Sequence, residues 1–190
     1  MEEKAEIREK MLKLLKSIKN YSSFDDKKGK IGIFLKNFIE DRRFKKIGVY
    51  SPQGWEVNLW GLWESGLRNG WELFFPKIEG RILSYVHVSN LEDDLCDGVF
   101  GIKEPFKGEK MDIEKIDIFV FPGIAFSRNG VRIGRGSGYV DRTFSGKNKM
   151  IVGVCYHFQF FDFILRDPWD VKVNFIITEK GIFKSKEVWI

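Results

Sequence analysis

Apolar, strand-like runs alternate with amphipathic helical patterns along most of this chain, and that alternation restricts the fold more than any other feature. The segment EKAEIREKMLKLLKSI puts Ile7, Met11, Leu14, Leu15 and Ile18 on one helical face. A second amphipathic helix is expected over residues 25–43, where Ile31, Phe34, Leu35 and Phe38 recur at helical spacing. Residues 57–68 (VNLWGLWESGLR) read as a third helix. Strands are expected at 47–50 (IGVY), 71–76 (WELFFP, ended by Pro76), 82–88, 116–121, 150–156, 174–178 and Gly181–Lys184. Residues 90–110, rich in acid, glycine and proline, read as a long loop. This order predicts an α/β domain, a three-layer α/β/α sandwich with a mostly parallel central sheet. No repeat or linker divides it, so residues 1–190 are read as one domain.

Composition narrows the partners. Hydrophobic residues make up 43% and charged residues 31% of the chain, a balance that supports a packed core. The net charge of +5 suits phosphate, polyanionic small molecules or nucleic acid. The lysines are dispersed among acids, and no basic cluster or RNA-binding strand motif is present, so nucleic acid is not an expected partner. Cys96, Cys155, His87 and His157 are too few and too scattered for a structural zinc site. The opening MEEKAEIREK is charged from its second residue, unlike a secretory signal. The longest apolar region, residues 151–165, is broken by His157, Gln159 and Asp162 and cannot span a bilayer. A cytoplasmic location without membrane attachment is expected.

Chemistry concentrates in RIGRGSGYVD, residues 132–141. Gly134, Gly136 and Gly138 alternate, which matches neither the dinucleotide-binding nor the P-loop pattern. The physics of those motifs still applies: glycines allow positive φ and let backbone N–H groups close on an anion. Arg132 and Arg135 add fork-shaped donors suited to phosphate oxygens. On residues alone, the loop is either an anion cradle or a flexible turn with solvated arginines. Asp141 is likewise either a helix-dipole partner or a metal-associated carboxylate. The loop follows the strand at 116–121, and ligands of open α/β sheets gather beyond the carboxyl ends of strands.

Extended outward, IDIFVFPGIAFSRNGVRIGRGSGYVDRTF closely resembles the signature of the 5-formyltetrahydrofolate cyclo-ligases, or methenyltetrahydrofolate synthetases. Pro122, Gly123, Phe126, Gly130, Arg132, Gly134, Gly136, Gly138, Tyr139 and Asp141 fall at the family's spacing. Weaker patches cover most of the chain: Lys4 and Arg8 match a K-x-x-x-R helix, YSPQGWEVN a folate-contacting loop, FGIKEP an Ile-x-x-Pro loop, and GVCYHFQFFDFILRDPWD a stretch ending in a metal-associated aspartate, here Asp170.

The resemblance implies a fold like that of the NagB/RpiA/CoA-transferase group and an ATP-dependent conversion of 5-formyltetrahydrofolate to 5,10-methenyltetrahydrofolate. Lys4, Arg8, Arg132, Ile133, Gly134, Arg135, Gly136, Ser137, Gly138 and Tyr139 would meet ATP, with Arg132 and Arg135 catalytic. Ser51, Glu56, Phe100 and residues 135–139 would meet the folate. Asp141 and Asp170 would hold Mg²⁺. A monomer is implied, acting on folates that can carry polyglutamate tails. The sequence departs from the pattern at Val140, in place of a second tyrosine, at Ser137, where some members place lysine, and at Asn174, often acidic. The competing readings are a sugar-phosphate isomerase or CoA transferase of similar layout, which would not consume ATP, and a silent folate-binding relative.

Overall fold

The computed structural model describes residues 2–18, 23–98 and 101–186. Among them lie four α-helices: α1 (Glu2–Ile18), α2 (Ser23–Asp41), α3 (Trp60–Arg68) and α4 (Tyr139–Phe144). The strands are β1 (Lys46–Gly48), β2 (Glu72–Glu79), β3 (Ile82–Val88), β4 (Leu95–Asp97), β5 (Lys103–Pro105), β6 (Lys110–Met111), β7 (Ile118–Pro122), β8 (Ala125–Ser127), β9 (Arg132–Ile133), β10 (Ile151–Val154), β11 (Phe160–Phe161), β12 (Phe175–Thr178) and β13 (Gly181–Lys184).

Eight strands build one sheet in the order β13-β12-β10-β7-β1-β2-β3-β6. Its centre, from β12 to β2, is parallel throughout, and the antiparallel strands β13, β3 and β6 lie towards its margins. The expected mixed α/β fold with a mostly parallel sheet is therefore present. β7 shows why consecutive residues are apolar. Ile118 and Val120 pack into a cluster with Ile31, Leu35 and Phe38 of α2 and Trp63 of α3. Phe119 and Phe121 face the other way, into a cluster with Phe144 of α4 and Phe126 of β8. A strand buried on both faces has no solvent side to make polar.

The two covering layers are unequal. One face carries α2 and α3. The other carries α4, one and a half turns long, beside a small sheet of order β11-β8-β9. α1 lies against that small sheet, with Met11 and Leu15 packed among Ile124, Ala125, Val131, Ile133 and Ile164. Leu14, expected on the buried face, is 43% exposed.

Three further sequence expectations need correction. β2 runs through Pro76 to Glu79 rather than ending there, because β1 pairs only with residues 72–74. Beyond Phe74 that side of β2 needs no ladder N–H, so proline is tolerated as on an edge. The expected loop at 90–110 also contains β4, β5 and β6. β4 and β5 pair antiparallel with each other, and β6 extends the main sheet beside β3. α3 begins at Trp60, three residues later than its pattern suggested, where Asn58 Oδ1 accepts the Trp60 N–H at 3.1 Å.

Candidate active site

The carboxyl ends of β1, β2 and β7 open into a cleft of about 1150 Å³, and nearly all sequence-predicted site residues line it. One wall is the glycine loop with the first turns of α1. The opposite wall comes from the segment after β1, from β2 and β3, and from β5.

The glycine loop is held from beneath by aromatic packing. Phe144 of α4 is buried against Phe119, Phe121 and Tyr85, at ring-centroid separations of 4.6, 5.1 and 6.0 Å. Burying such a ring stabilises by roughly 2–3 kcal/mol, which anchors α4 although it is short. Thr143 Oγ1 accepts the Leu83 N–H at 2.8 Å and donates to the Tyr139 carbonyl at 2.7 Å, and Arg142 Nε donates to the Arg81 carbonyl at 2.6 Å. Gly136 and Gly138 have φ of 100° and 68°, in the region that favours glycine. Gly134 is needed for a different reason: a Cβ there would lie 2.6 Å from Arg132 Nη1. α4 has only six residues, so its dipole would add little at this loop, and backbone amides and the arginines are what the loop could offer an anion.

Arg132 lies beneath the loop with its side chain 11% exposed, its Nη2 3.9 Å from Asp141 Oδ2. Burial pulls its pKa below the ordinary arginine value, while Asp141, Tyr85, Asp170 and Glu56 favour its charge. Arg135 is more open. Its Nη2 donates to Glu56 Oε1 at 3.1 Å, and its guanidinium lies 5.4 Å from the Trp55 ring centroid. Burial raises the Glu56 pKa above the usual glutamate value, opposed by Arg135, the Gln53 N–H and Arg132. That N–H reaches Glu56 Oε2 at 2.9 Å. The residue expected to meet phosphate and the residue expected to meet folate are thus paired across the cleft.

α1 delivers Lys4 and Arg8 on the same face, as their four-residue step required. Arg8 Nε donates to the Gly134 carbonyl at 2.9 Å, tying the helix to the loop. Lys4 Nζ donates to Asp167 Oδ2 at 2.8 Å and also to Asp170 Oδ2. Burial works against the Lys4 charge, but these two carboxylates outweigh it and raise its pKa; Lys4 in turn lowers that of Asp167. Asp170 also accepts the Asp167 N–H at 2.8 Å, so it shapes its own turn as well as facing the cleft. Asp141 Oδ1 accepts the Val171 N–H at 3.1 Å, which brings both predicted metal carboxylates to neighbouring positions.

No group of three His, Cys, Asp or Glu side chains with metal-holding geometry occurs among the described residues. Mg²⁺ at phosphate sites asks for less: one or two carboxylates, with phosphate and water completing the shell. Asp141 and Asp170 supply hard oxygen donors at the edge of the cradle, and that donor set fits Mg²⁺.

Other assignments are placed differently. Ser51 is buried and its Oγ donates to the Lys103 carbonyl at 2.5 Å, so it fastens β5 to the cleft wall. Ile133 is buried and paired in β9, contributing its backbone to the loop's base. Ser137 and Tyr139 line the cleft, Tyr139 with the Arg142 guanidinium 5.1 Å from its ring centroid. Phe100 lies outside the described residues. Val140 lines the cleft, whereas Asn174 does not: its Oδ1 accepts the Ile151 N–H at 2.7 Å, joining strands. Asp167, Arg142, Glu104 and Trp169 also line the cleft and were not singled out from sequence. The repeated acid in RDPWD was the one visible hint, for Asp167.

Among the described residues no helix is long and apolar enough to cross a membrane. The chain is similar over most of its length to proteins of known type. It is 27% identical over 192 residues to a probable 5-formyltetrahydrofolate cyclo-ligase of Caenorhabditis elegans, covering 92% of this chain and 93% of that one. It is 28% identical over 149 residues to the 5-formyltetrahydrofolate cyclo-ligase of Haemophilus influenzae, covering 75% and 80%. The solved structure of Aquifex aeolicus 5,10-methenyltetrahydrofolate synthetase superposes with a TM-score of 0.83 at 35% identity, covering 98% of this chain and 95% of that one. The Mycoplasma pneumoniae synthetase shares the fold, with a TM-score of 0.72 at 24% identity over 93% and 98% of the two chains. The family model for 5-formyltetrahydrofolate cyclo-ligases matches residues 1–179, and this chain belongs to that family.

Proposed function

We propose that this protein converts 5-formyltetrahydrofolate and ATP to 5,10-methenyltetrahydrofolate, ADP and phosphate. The observation that carries this reading is the single cleft in which Arg132, Arg135, Arg8 and the positive-φ glycines face Glu56 and an apolar wall. One side of that space suits a chain of phosphates and the other a flat, partly polar ring.

The formyl oxygen is a poor leaving group until the γ-phosphoryl is transferred to it. Attack by N10 on the activated carbon then forms the new C–N bond, the C–O bond breaks, phosphate departs and the N10 proton is released. The protein's work is positioning and charge neutralisation. Arg135 swings between Glu56 and the transferring phosphoryl group, Arg132 and the loop amides neutralise phosphate oxygens from below, and Arg8 fixes the loop. Lys4 holds the Asp167–Asp170 turn and approaches the phosphates from the α1 side. Glu56 and Tyr139 face the folate. Mg²⁺, held by Asp141 and Asp170, would neutralise phosphate charge when bound. The reading also takes the chain as one cytoplasmic, monomeric domain of the NagB/RpiA/CoA-transferase-like group, acting on folates with or without a polyglutamate tail.

The test is the growth of methenyl-product absorbance from 5-formyltetrahydrofolate with and without ATP. Growth that needs ATP and releases one phosphate per product is expected; product formation indifferent to ATP, or none, overturns the reading.

A further inference from the structure

Glu104 is a carboxylate buried in the cleft wall at a cost. It sits on β5, 9% exposed, in a cleft whose lining also includes Ile78, Leu83, Tyr85 and Ile102. Gly98 makes the room: a Cβ there would lie 2.7 Å from Glu104 Cδ. Among the described residues no lysine or arginine forms an ion pair with it. Burial raises its pKa above the usual glutamate value, opposed only by the Ile78 backbone N–H and the charge of Lys77. A carboxylate offers about four acceptor positions, and one backbone donor leaves most of them open. The hydrogen bond from Ser51 to the Lys103 carbonyl pins the backbone beside Glu104, and the Ile78 N–H contacts the carboxyl group itself. An acceptor with open positions in a cleft wall that also carries apolar side chains suits a ligand that brings its own donors.

We infer that Glu104 is the residue that orients the folate ring, accepting the paired donors of its 2-amino-4-oxopyrimidine edge, the ring N–H and the adjacent exocyclic NH₂. Two neighbouring donors match the two oxygens of one carboxylate, as in a guanidinium pair. An adenine edge sets an N–H beside a ring lone pair, which would repel the second oxygen, so the nucleotide base is the wrong occupant for this wall. The inference rests on the proposed reaction and names the group that selects its ring.

The experiment compares 5-formyltetrahydrofolate with an analogue carrying hydrogen in place of the 2-amino group, on wild type, Glu104→Gln and Glu104→Ala. Turnover and direct binding titrations are both measured. Wild type should bind the analogue roughly 10- to 100-fold more weakly than the parent, the loss expected for hydrogen bonds to a charged partner. Both variants should bind the parent weakly and distinguish the two ligands by less than about threefold, with the ATP KM within twofold of wild type. Wild type binding both ligands equally, or Glu104→Ala still separating them as wild type does, overturns the inference. Glu104→Gln removes a costly buried charge and keeps the shape, so its melting temperature should not fall. Absence of turnover in wild type would overturn the proposed reaction, and the titrations would then decide the role of Glu104 alone.

Discussion

Replacing Arg135 with alanine should cost both stability and turnover, and the two losses should separate in the double variant with Glu56→Gln. The pair meets at 3.1 Å, with Glu56 8% and Arg135 44% exposed in their side chains. At an effective dielectric of about 20 the bare attraction is roughly 5 kcal/mol. Solvent around the half-open guanidinium screens most of that, leaving a net coupling of about 1–2 kcal/mol. In Arg135→Ala the Glu56 charge stays buried without its partner, so the melting temperature should drop by roughly 2–8 °C. The deficit should be present above the folded-state pKa of Glu56 and shrink as pH falls towards the ordinary carboxylate range. The folded state takes up that proton first, because burial has already raised the Glu56 pKa. With Glu56→Gln in the background there is no charge to strand, and Arg135→Ala should then cost less than about 0.5 kcal/mol. Turnover should fall by roughly 100-fold or more in both backgrounds, because glutamine cannot replace the cation at the phosphoryl group. Thermal melts of the four proteins, with kcat for each, complete the cycle. Additive stability losses, or a double variant that regains turnover, would refute the reasoning.

Gly134→Ala puts its methyl group against the end of the Arg132 side chain, which can move, so kcat should fall at least tenfold while the melting temperature changes by less than about 2 °C. Asp141→Asn should raise the magnesium concentration needed for half-maximal rate, and a variant indifferent to magnesium would return Asp141 to holding the Val171 N–H. Asp94 accepts from the Ser89 and Asn90 amides and pairs with Lys107; these outweigh the burial that would raise its pKa and bring it to about 2. Its contribution, about 2.5 kcal/mol, should be complete above about pH 4 and lost as pH falls through about 2, and Asp94→Asn should remove that slope from acid-unfolding curves.

Local chemistry left clear marks in the sequence, and long-range chemistry did not. The run before Pro122 read as a strand because a short apolar stretch closed by Pro122 and Gly123 alternates with helical patterns, and Gly134, Gly136 and Gly138 stood out because alternate glycines are unusual. β5 was read as loop because a strand of three residues, two of them Lys103 and Pro105, shows no period; only its antiparallel pairing with β4 and its place beside β2 make it one. Glu104 was passed over for the same reason, since nothing near it in sequence says it is buried. The Lys4 contacts to Asp167 and Asp170 close separations of 163 and 166 residues, which no window along the chain can see. Residue resemblance placed Lys4 and Asp170 at the site, and their mutual pairing emerged only from coordinates.

The attachment of α1 has an effect at a distance from the chemistry. This helix rests on the small sheet through Met11 and Leu15, and its other fastenings, Arg8 to the loop and Lys4 to the aspartate turn, are side chains that the proposed function assigns to the triphosphate. On that proposal, seating of the helix and filling of the loop are thermodynamically linked, each strengthening the other by the same factor. Amide exchange along residues 2–18 should therefore slow in step with nucleotide saturation. A tag or truncation that loosens this one segment would weaken nucleotide affinity while leaving the eight-stranded sheet as stable as before.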